Sequence, residues 1–295
     1  MKHLIKTILQ LSVFFVLLLF AVAVFYFFSC QSLTVSAYTL EADIYQPIRI
    51  VHLTDLHNKE FGENNKELVS LVAEQKPDLI FMSGDMLNRD DPNTEIVSNL
   101  IEALTPIAPV YFGYGNHEYS WELNYEKDLR QIFTDAGAIV VNNDYVDAEV
   151  NGQALRIGGY MGYYRQPHMF PVDREQKYLE LAFADDFENT DRLKLLINHI
   201  PTAWLDWEYI DQYPVDVVFS GHYHGGTICL PILERGLYAP YVGWFPPFTK
   251  GVYAGEKATC VLSAGLGNEH HIPRINNPPE IVVVDLVPLD AAFGR

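Results

Sequence analysis

The chain is expected to form an α/β fold, a two-sheet β-sandwich flanked by helices, behind an N-terminal transmembrane helix. Three observations predict it. Short apolar runs alternate with helix-like segments from residue 48 onward. Five of those runs are followed at once by His, Asp or Asn residues. An uncharged apolar stretch covers residues 8–28, and the next charged residue after it is Glu41.

The apolar stretch comes first. About 20 apolar residues span a bilayer, and this stretch is longer than the apolar region of a usual signal peptide. Lys2 and Lys6 precede it, so its start is expected in the cytoplasm. The chain then crosses the cell membrane once, and the rest lies outside the inner face. Cleavage after Val35-Ser36-Ala37 and lipidation of Cys30 stay open, although Phe27-Phe28-Ser29 is a poor lipoprotein signal; there is no twin-arginine pair. Residues 1–37 are assigned to anchor and linker, and residues 38–295 to one catalytic domain without internal repeats.

A first strand is expected near residues 29–46, after a short linker. Strands follow at 48–53, 79–82, 110–112 and 139–141, with helices at 65–74, 94–104 and 125–136. Strands at 145–150 and 155–158 are joined by Asn151-Gly152, a strong hairpin signal. A helix at 175–184, a strand at 193–197, a helix at 202–210 and a strand at 215–219 continue the alternation. Strands near Ile228, at 259–263 and at 281–286 complete the domain. Two aromatic segments stand apart, 161–170 and 237–253. The Pro and Gly residues of the second are expected to keep it from forming a regular helix or strand.

A polar residue just past a buried strand lies at the carboxyl edge of its sheet, where open α/β sheets carry their sites. The five segments are Asp55-Leu56-His57, Gly84-Asp85, Gly115-Asn116-His117-Glu118, Asn198-His199 and Gly221-His222-Tyr223-His224-Gly225-Gly226. Asp55, His57, Asp85, Asn116, His199, His222 and His224 are candidate ligands, too many for one tetrahedral zinc. Two divalent ions sharing one carboxylate fit better. Imidazole mixed with carboxylate suits manganese, iron or zinc, with manganese favoured, and the lack of thiolates argues against a structural zinc or an iron–sulfur cluster. Two such ions can hold a bridging hydroxide and clamp a phosphate, the two-metal route to phosphoester hydrolysis.

In this set the pattern D-x-H, G-D, G-N-H-[ED], H, G-H-x-H is complete and in order, and through it the chain resembles the calcineurin-like metallophosphoesterase superfamily. The resemblance implies the metallophosphoesterase fold and a role for each residue. One metal would take Asp55, His57 and His224, the other Asn116, His199 and His222, and Asp85 would bridge them. His117 would not be a ligand but would reach the phosphate or the leaving oxygen. Gly84 and Gly115 would let the backbone turn sharply. Many relatives carry an aspartate three residues after the bridging aspartate, paired with the His of G-N-H. Here that residue is Asn88. It is therefore expected to pair with His117 without supplying charge, which makes His117 a weaker general acid. Ser263-Ala264-Gly265-Leu266-Gly267 and the run from Pro273-Arg274-Ile275-Asn276-Asn277 to Glu280-Ile281 resemble the C-terminal signature of bacterial membrane-associated phosphodiesterases.

Acidic residues outnumber basic ones 38 to 20, a formal charge of −18. That sign is wrong for a protein that tracks nucleic acid, so no nucleic-acid partner is expected. Two metal ions would reverse the field locally, so an anionic substrate is compatible. The expected function is a membrane-anchored phosphodiesterase that uses a metal-bridged hydroxide on a small phosphate ester or a lipid-linked substrate. One alternative is a pyrophosphatase acting on a nucleotide–sugar–lipid such as UDP-2,3-diacylglucosamine, with the aromatic segment 237–253 as an acyl-binding wall. Another is a non-catalytic, metal-stabilised binding module. Arg165 is a candidate phosphate clamp or a surface residue, and neither His270 nor His271 is expected to be a ligand. Cys229 and Cys260 could pair or remain buried thiols.

Overall fold

The computed structural model describes residues 2–165, 182–230, 235–240, 242–268 and 274–289. Helix α1 (Lys2–Gln31) contains Ile5–Val24, a run long and apolar enough to cross a membrane and not buried by the rest of the chain. By length and composition it is a membrane span or a signal sequence. Strand β1 (Thr34–Ala42) follows after two residues. It contains Val35-Ser36-Ala37, and it starts four residues before the expected domain boundary.

Strand β2 (Ile48–Leu53) is apolar almost throughout because both of its faces are covered. Ile48 and Ile50 point into the layer between two sheets, whereas Val51 and Leu53 point into a layer beneath helices. Helix α2 (Lys66–Glu74), β3 (Leu79–Met82), α3 (Glu95–Leu104) and β4 (Val110–Gly113) follow as the periodicity predicts. Helix α4 (Asn116–Tyr125) is an unexpected element. Its buried residues include Asn116, His117 and Glu118, so apolar side chains do not mark its inner face. The helix expected over 125–136 is shorter, α5 (Leu129–Asp135). Glu126 adopts a left-handed conformation that ends α4, and the Asp128 side chain accepts the Gln131 N–H to start α5.

Strand β5 (Ile139–Val141) ends the parallel run of the first sheet, whose order is β1, the last strand, β2, β3, β4, β5. Strands β6 (Asp144–Val150) and β7 (Gln153–Gly159) form the expected hairpin. Asn151 and Gly152 both have positive φ, 52° and 78°, as a two-residue turn matched to strand twist requires. The helix expected over 175–184 lies partly outside the described residues, and its described part runs over 182–188 (α6). Strand β8 (Leu193–Ile197) is followed by a short helix α7 (Thr202–Leu205). The longer helix expected there breaks because Glu208 takes a left-handed conformation before a 3₁₀ turn at Tyr209–Asp211.

Strand β9 (Val217–Ser220) leads to four two-residue strands: β10 (Cys229–Leu230), β11 (Arg235–Gly236), β12 (Tyr238–Ala239) and β13 (Gly243–Trp244). Strands β14 (Gly251–Ala254), β15 (Thr259–Leu262) and β16 (Glu280–Pro288) complete the chain. The expectation that 237–253 holds no regular strand is corrected. Tyr238 pairs with Trp244 in a small hairpin, and Gly251–Ala254 forms the edge of the second sheet, β14-β15-β9-β8-β7-β6. Backbone pairing satisfies N–H and C=O groups that Gly and Pro composition alone marks as loop. Residues 166–170 of the first aromatic segment, Tyr241, His270 and His271 lie outside the described residues.

The core is layered. Phe81, Tyr111 and Val284 from the first sheet meet Ile157, Ile197 and Phe219 from the second in the middle layer. Helices α2, α3 and α5 cover the outer face of the first sheet. Phe187 and Trp204 cover that of the second. This is the expected two-sheet sandwich with helices outside.

Candidate metal centre

The loops after β2, β3, β8 and β9 meet at one end of the sandwich and are bonded to each other. Asp55 N–H donates to the Gly84 carbonyl (3.0 Å), and His57 N–H donates to the Asp85 carbonyl (3.1 Å). Between the sheets, His199 Nδ1 lies 2.7 Å from the Ser83 carbonyl. His222 N–H donates to both oxygens of Asp55, each at 3.1 Å. Five of the candidate residues have left-handed backbones: Asp55, His57, Asp85, His222 and His224, with φ of 53°, 51°, 51°, 70° and 47°. Such conformations each cost about 1–3 kcal/mol and persist where surrounding bonds over-determine them.

The ligand atoms of Asp55, His57 and His224 lie within 4.8 Å of one another, and so do those of Asp85, His199 and His222. A third group joins His57, Asp85 and His117. Asp85 Oδ2 is 3.0 Å from His199 Nε2 and 4.0 Å from His117 Nε2. His224 Nε2 is 3.5 Å from Asp55 Oδ1. Asn116 opens α4 beside them, and its neighbour His117 donates its backbone N–H to Asp85 Oδ1 (2.8 Å). All eight side chains are buried.

The electrostatics follow from burial. Burial alone would lower the His199 pKa, but Asp85 and Asp55 raise it to about 9. Burial pushes Asp85 up, yet His199, His117 and His57 outweigh it and hold the carboxyl well below its usual range. Burial raises Asp55 to about 6, with Asp85 adding to the rise and His199 opposing it. Burial, reinforced by His57, pushes His224 well below its usual value, so its imidazole stays neutral, the form a cation binds. Among the described residues, Asn116 Oδ1 and His224 Nδ1 are buried without a hydrogen-bond partner. Buried polar atoms ordinarily have one. Two orphaned donor atoms inside a cluster of imidazoles and carboxylates fit a divalent cation, and no cysteine takes part.

Asn88 is not where it was expected. Its Oδ1 lies 3.2 Å from His57 Nδ1, and its Nδ2 donates to the His57 carbonyl (2.9 Å). His117 Nδ1 instead accepts the Arg89 backbone N–H (3.2 Å). The left-handed turn at Asp85 aims residue 88 at the β2 loop and residue 89 at α4. Arg165 is held by Glu188 (2.9 Å) and Asp185 (2.7 Å), which makes it a brace on α6 and not a phosphate clamp. Cys229 and Cys260 are free thiols, and burial pushes Cys260 up to about 12. His52 is also buried, but burial lowers it to about 3, and its Nε2 bonds Ser83 Oγ (2.6 Å).

Glycine acts at Gly84 and Gly115 by close approach. A Cβ on Gly84 (φ +89°) would sit 2.6 Å from Gly115 Cα, and one on Gly115 would sit 2.6 Å from Asp85 N. Only Gly84 needs a positive φ.

Glu118 carries no assigned role in the sequence reading, yet it organises the site. Its carboxylate accepts N–H groups from Asp85 (2.7 Å), Met86 (2.9 Å), Leu87 (3.4 Å) and Gly115 (2.9 Å). Glu at the third position of a helix start is a capping signal and could have identified both α4 and this role. The C-terminal signature braces the same loops from behind. Arg274 donates to the carbonyls of Ala264 (2.6 Å) and Gly267 (2.6 Å), and Asn277 donates to the His224 carbonyl (2.6 Å). Glu280 Oε2 accepts the Ala264 N–H (2.7 Å).

A family model described as calcineurin-like phosphoesterase matches residues 48–226. The chain is 25% identical over 240 residues to an uncharacterised metallophosphoesterase, YkoQ, of Bacillus subtilis, covering 79% of this chain and 82% of that one. It is 24% identical over 254 residues to phosphodiesterase YaeI of Escherichia coli, covering 82% and 83%. It is 22% identical over 281 residues to the UDP-2,3-diacylglucosamine pyrophosphatase LpxG of Chlamydia muridarum, covering 80% and 83%. Among solved structures, sulfate thiohydrolase SoxB of Thermus thermophilus superposes with a TM-score of 0.50 at 13% identity. That likeness covers 83% of this chain but only 57% of SoxB, and it shows the fold alone.

Proposed function

The chain belongs to the calcineurin-like phosphoesterase family, hydrolases of phosphoric esters, and from that premise we propose that it is a membrane-anchored phosphodiesterase with a two-metal centre. The observation that carries the proposal is the sharing of Asp85 between neighbours of both triads. Asp55, His57 and His224 would hold one ion, Asn116, His199 and His222 the other, and Asp85 both, with manganese favoured. When bound, the two ions would supply Lewis acidity and activate water for attack on phosphorus.

The protein's own groups do the rest. Arg89 N–H occupies His117 Nδ1, which places the proton of neutral His117 on Nε2, the nitrogen nearer Asp85. From there it can reach the leaving oxygen. Asn88 orients His57 through Nδ1 and leaves Nε2 to face the cluster. Groups that orient a liganding imidazole typically tune affinity ten- to a hundredfold. Asn88→Asp is therefore expected to tighten metal retention about tenfold in a chelator competition. Unchanged retention would remove Asn88 from the support of His57.

The division into an anchor, residues 1–37, and a catalytic domain, residues 38–295, belongs to the same proposal. The helix would cross the cell membrane once, with the catalytic domain outside the inner face. Because β1 is paired from Thr34 onward, assays should use the full chain in detergent. With manganese restored, bis-p-nitrophenyl phosphate is expected to be hydrolysed at least about tenfold faster than p-nitrophenyl phosphate, a difference of about 1.4 kcal/mol. A preference for the monoester would overturn the diesterase reading. Turnover of neither ester with both ions bound would favour a second reading, a pyrophosphatase on a nucleotide–sugar–lipid. Similarity to LpxG and the exposed aromatic hairpin over 238–244 support that second reading.

A further inference from the structure

The end of the sandwich that carries the candidate centre is also the end at which the apolar helix joins it. Strand β2 runs toward the centre, and Asp55 lies two residues past its last residue, Leu53. Strand β16 is antiparallel to β2, with Val282 opposite His52, so its first residue, Glu280, lies at that same end. Strand β1 runs parallel to β16 with Thr34 opposite Glu280. The N–H and Oγ1 of Thr34 both donate to the Pro279 carbonyl at 2.9 Å. Only Ser32 and Leu33 separate β1 from α1, and two residues reach at most about 7 Å. The helix extends about 10 Å past the span that ends at Val24. The site end of the domain is therefore tethered within a short distance of the segment proposed to cross the bilayer.

The β12–β13 hairpin rises from the same end. Leu237 N–H donates to the carbonyls of Gly226 (3.0 Å) and Ile228 (2.8 Å), which ties the hairpin to the His222–His224 loop. Ile228 in turn bridges to Ile275, in the segment that leads to Pro279 and the start of β1. Residues 236–249 contain no charged side chain. Trp244 is 69% exposed, Phe245 52% and Tyr238 37%, and the Tyr238 and Trp244 rings meet edge to face at 5.7 Å. Aromatic side chains with an apolar body and a polar tip partition to the membrane–water interface. With no basic residue among them, their seating depends on apolar burial and not on anionic lipid.

We infer that the Tyr238–Trp244–Phe245 hairpin seats in the interface of the bilayer that α1 crosses, so that the centre opens toward the lipid surface and takes phosphoesters carried on lipids. This rests on the membrane-anchor reading above. The test uses the full chain reconstituted into phosphatidylcholine vesicles, with some lipids brominated near the glycerol end. Trp121 and Trp204 are buried and Trp207 is 41% exposed, so with Trp207→Phe as the background Trp244 is expected to supply a large bromine-quenchable component of the fluorescence. That component should disappear in Trp244→Phe and persist at high salt. If the protein floats with the vesicles but Trp244→Phe leaves bromine quenching unchanged, the hairpin inference is overturned and the anchor stands. Shielding of Trp244 from iodide without bromine quenching would equally overturn it, in favour of a protein partner such as a second copy. Failure to float with the vesicles would remove the anchor reading and the inference with it, while the hydrolytic reading, assayed separately, is untouched.

Discussion

Asp85→Asn is expected to lower metal-dependent diester hydrolysis by about a thousandfold or more and to reduce bound metal below two ions per chain. A thousandfold loss corresponds to about 4 kcal/mol. The side chain keeps its shape, and the Asn oxygen can still accept the His117 backbone N–H that Asp85 takes at 2.8 Å, so the loop should persist. What is lost is the negative charge between His199, 3.0 Å away, and His117, 4.0 Å away. In the proposed centre that charge holds both cations; Asp55, 3.5 Å from His224 and 3.9 Å from His199, lies farther from the second group than Asp85 does. Hydrolysis rates on bis-p-nitrophenyl phosphate, metal analysis and circular dichroism of the same preparation would check this. Activity within about tenfold of wild type, with full metal content, would refute the bridging role.

Glu118→Ala is expected to destabilise the fold by about 4 kcal/mol or more, because it strands four buried N–H groups that each cost roughly 1–3 kcal/mol when unpaired. Those donors belong to Asp85, Met86, Leu87 and Gly115. The two loops they hold, after β3 and β4, carry the shared carboxylate and Asn116. Loss of stability and loss of metal should therefore appear together. Burial, and then the nearby Asp85, push the Glu118 pKa up, while the N–H donors pull it back. Glu118→Gln keeps one acceptor oxygen and should cost less than the alanine variant. Urea unfolding of both variants in detergent, without added metal, separates the structural effect from the ions. An alanine variant with an unchanged midpoint would mean that water or a rearranged loop satisfies those donors.

Most of the fold was legible because each of its signals is local. Strands such as Leu79–Met82 and Leu193–Ile197 are short apolar runs bounded by polar segments, and Asn151-Gly152 specifies its own turn. Helix α4 was not legible, because its first turn buries polar residues that serve the site and so lacks an apolar stripe. The strands near Tyr238 and Gly251 are not legible because they are two and four residues long in a segment rich in Gly and Pro, so cross-strand pairing within their hairpins overrides weak local propensity.

By itself the sequence determined the candidate donor set: two aspartates, an asparagine and four imidazoles placed just past strand-like runs, with a fifth imidazole beside them. Donor type is a property of each residue, and placement past a strand follows from local pattern. Only the tertiary structure decided which donors share a neighbour, that Asn88 supports His57 while Arg89 meets His117, that Glu118 ties two loops together, and that the apolar helix joins the fold at the site's own end. Those contacts join residues some 30 to more than 200 positions apart. They are set by loop handedness, strand register and sheet packing, which no local stretch of sequence encodes.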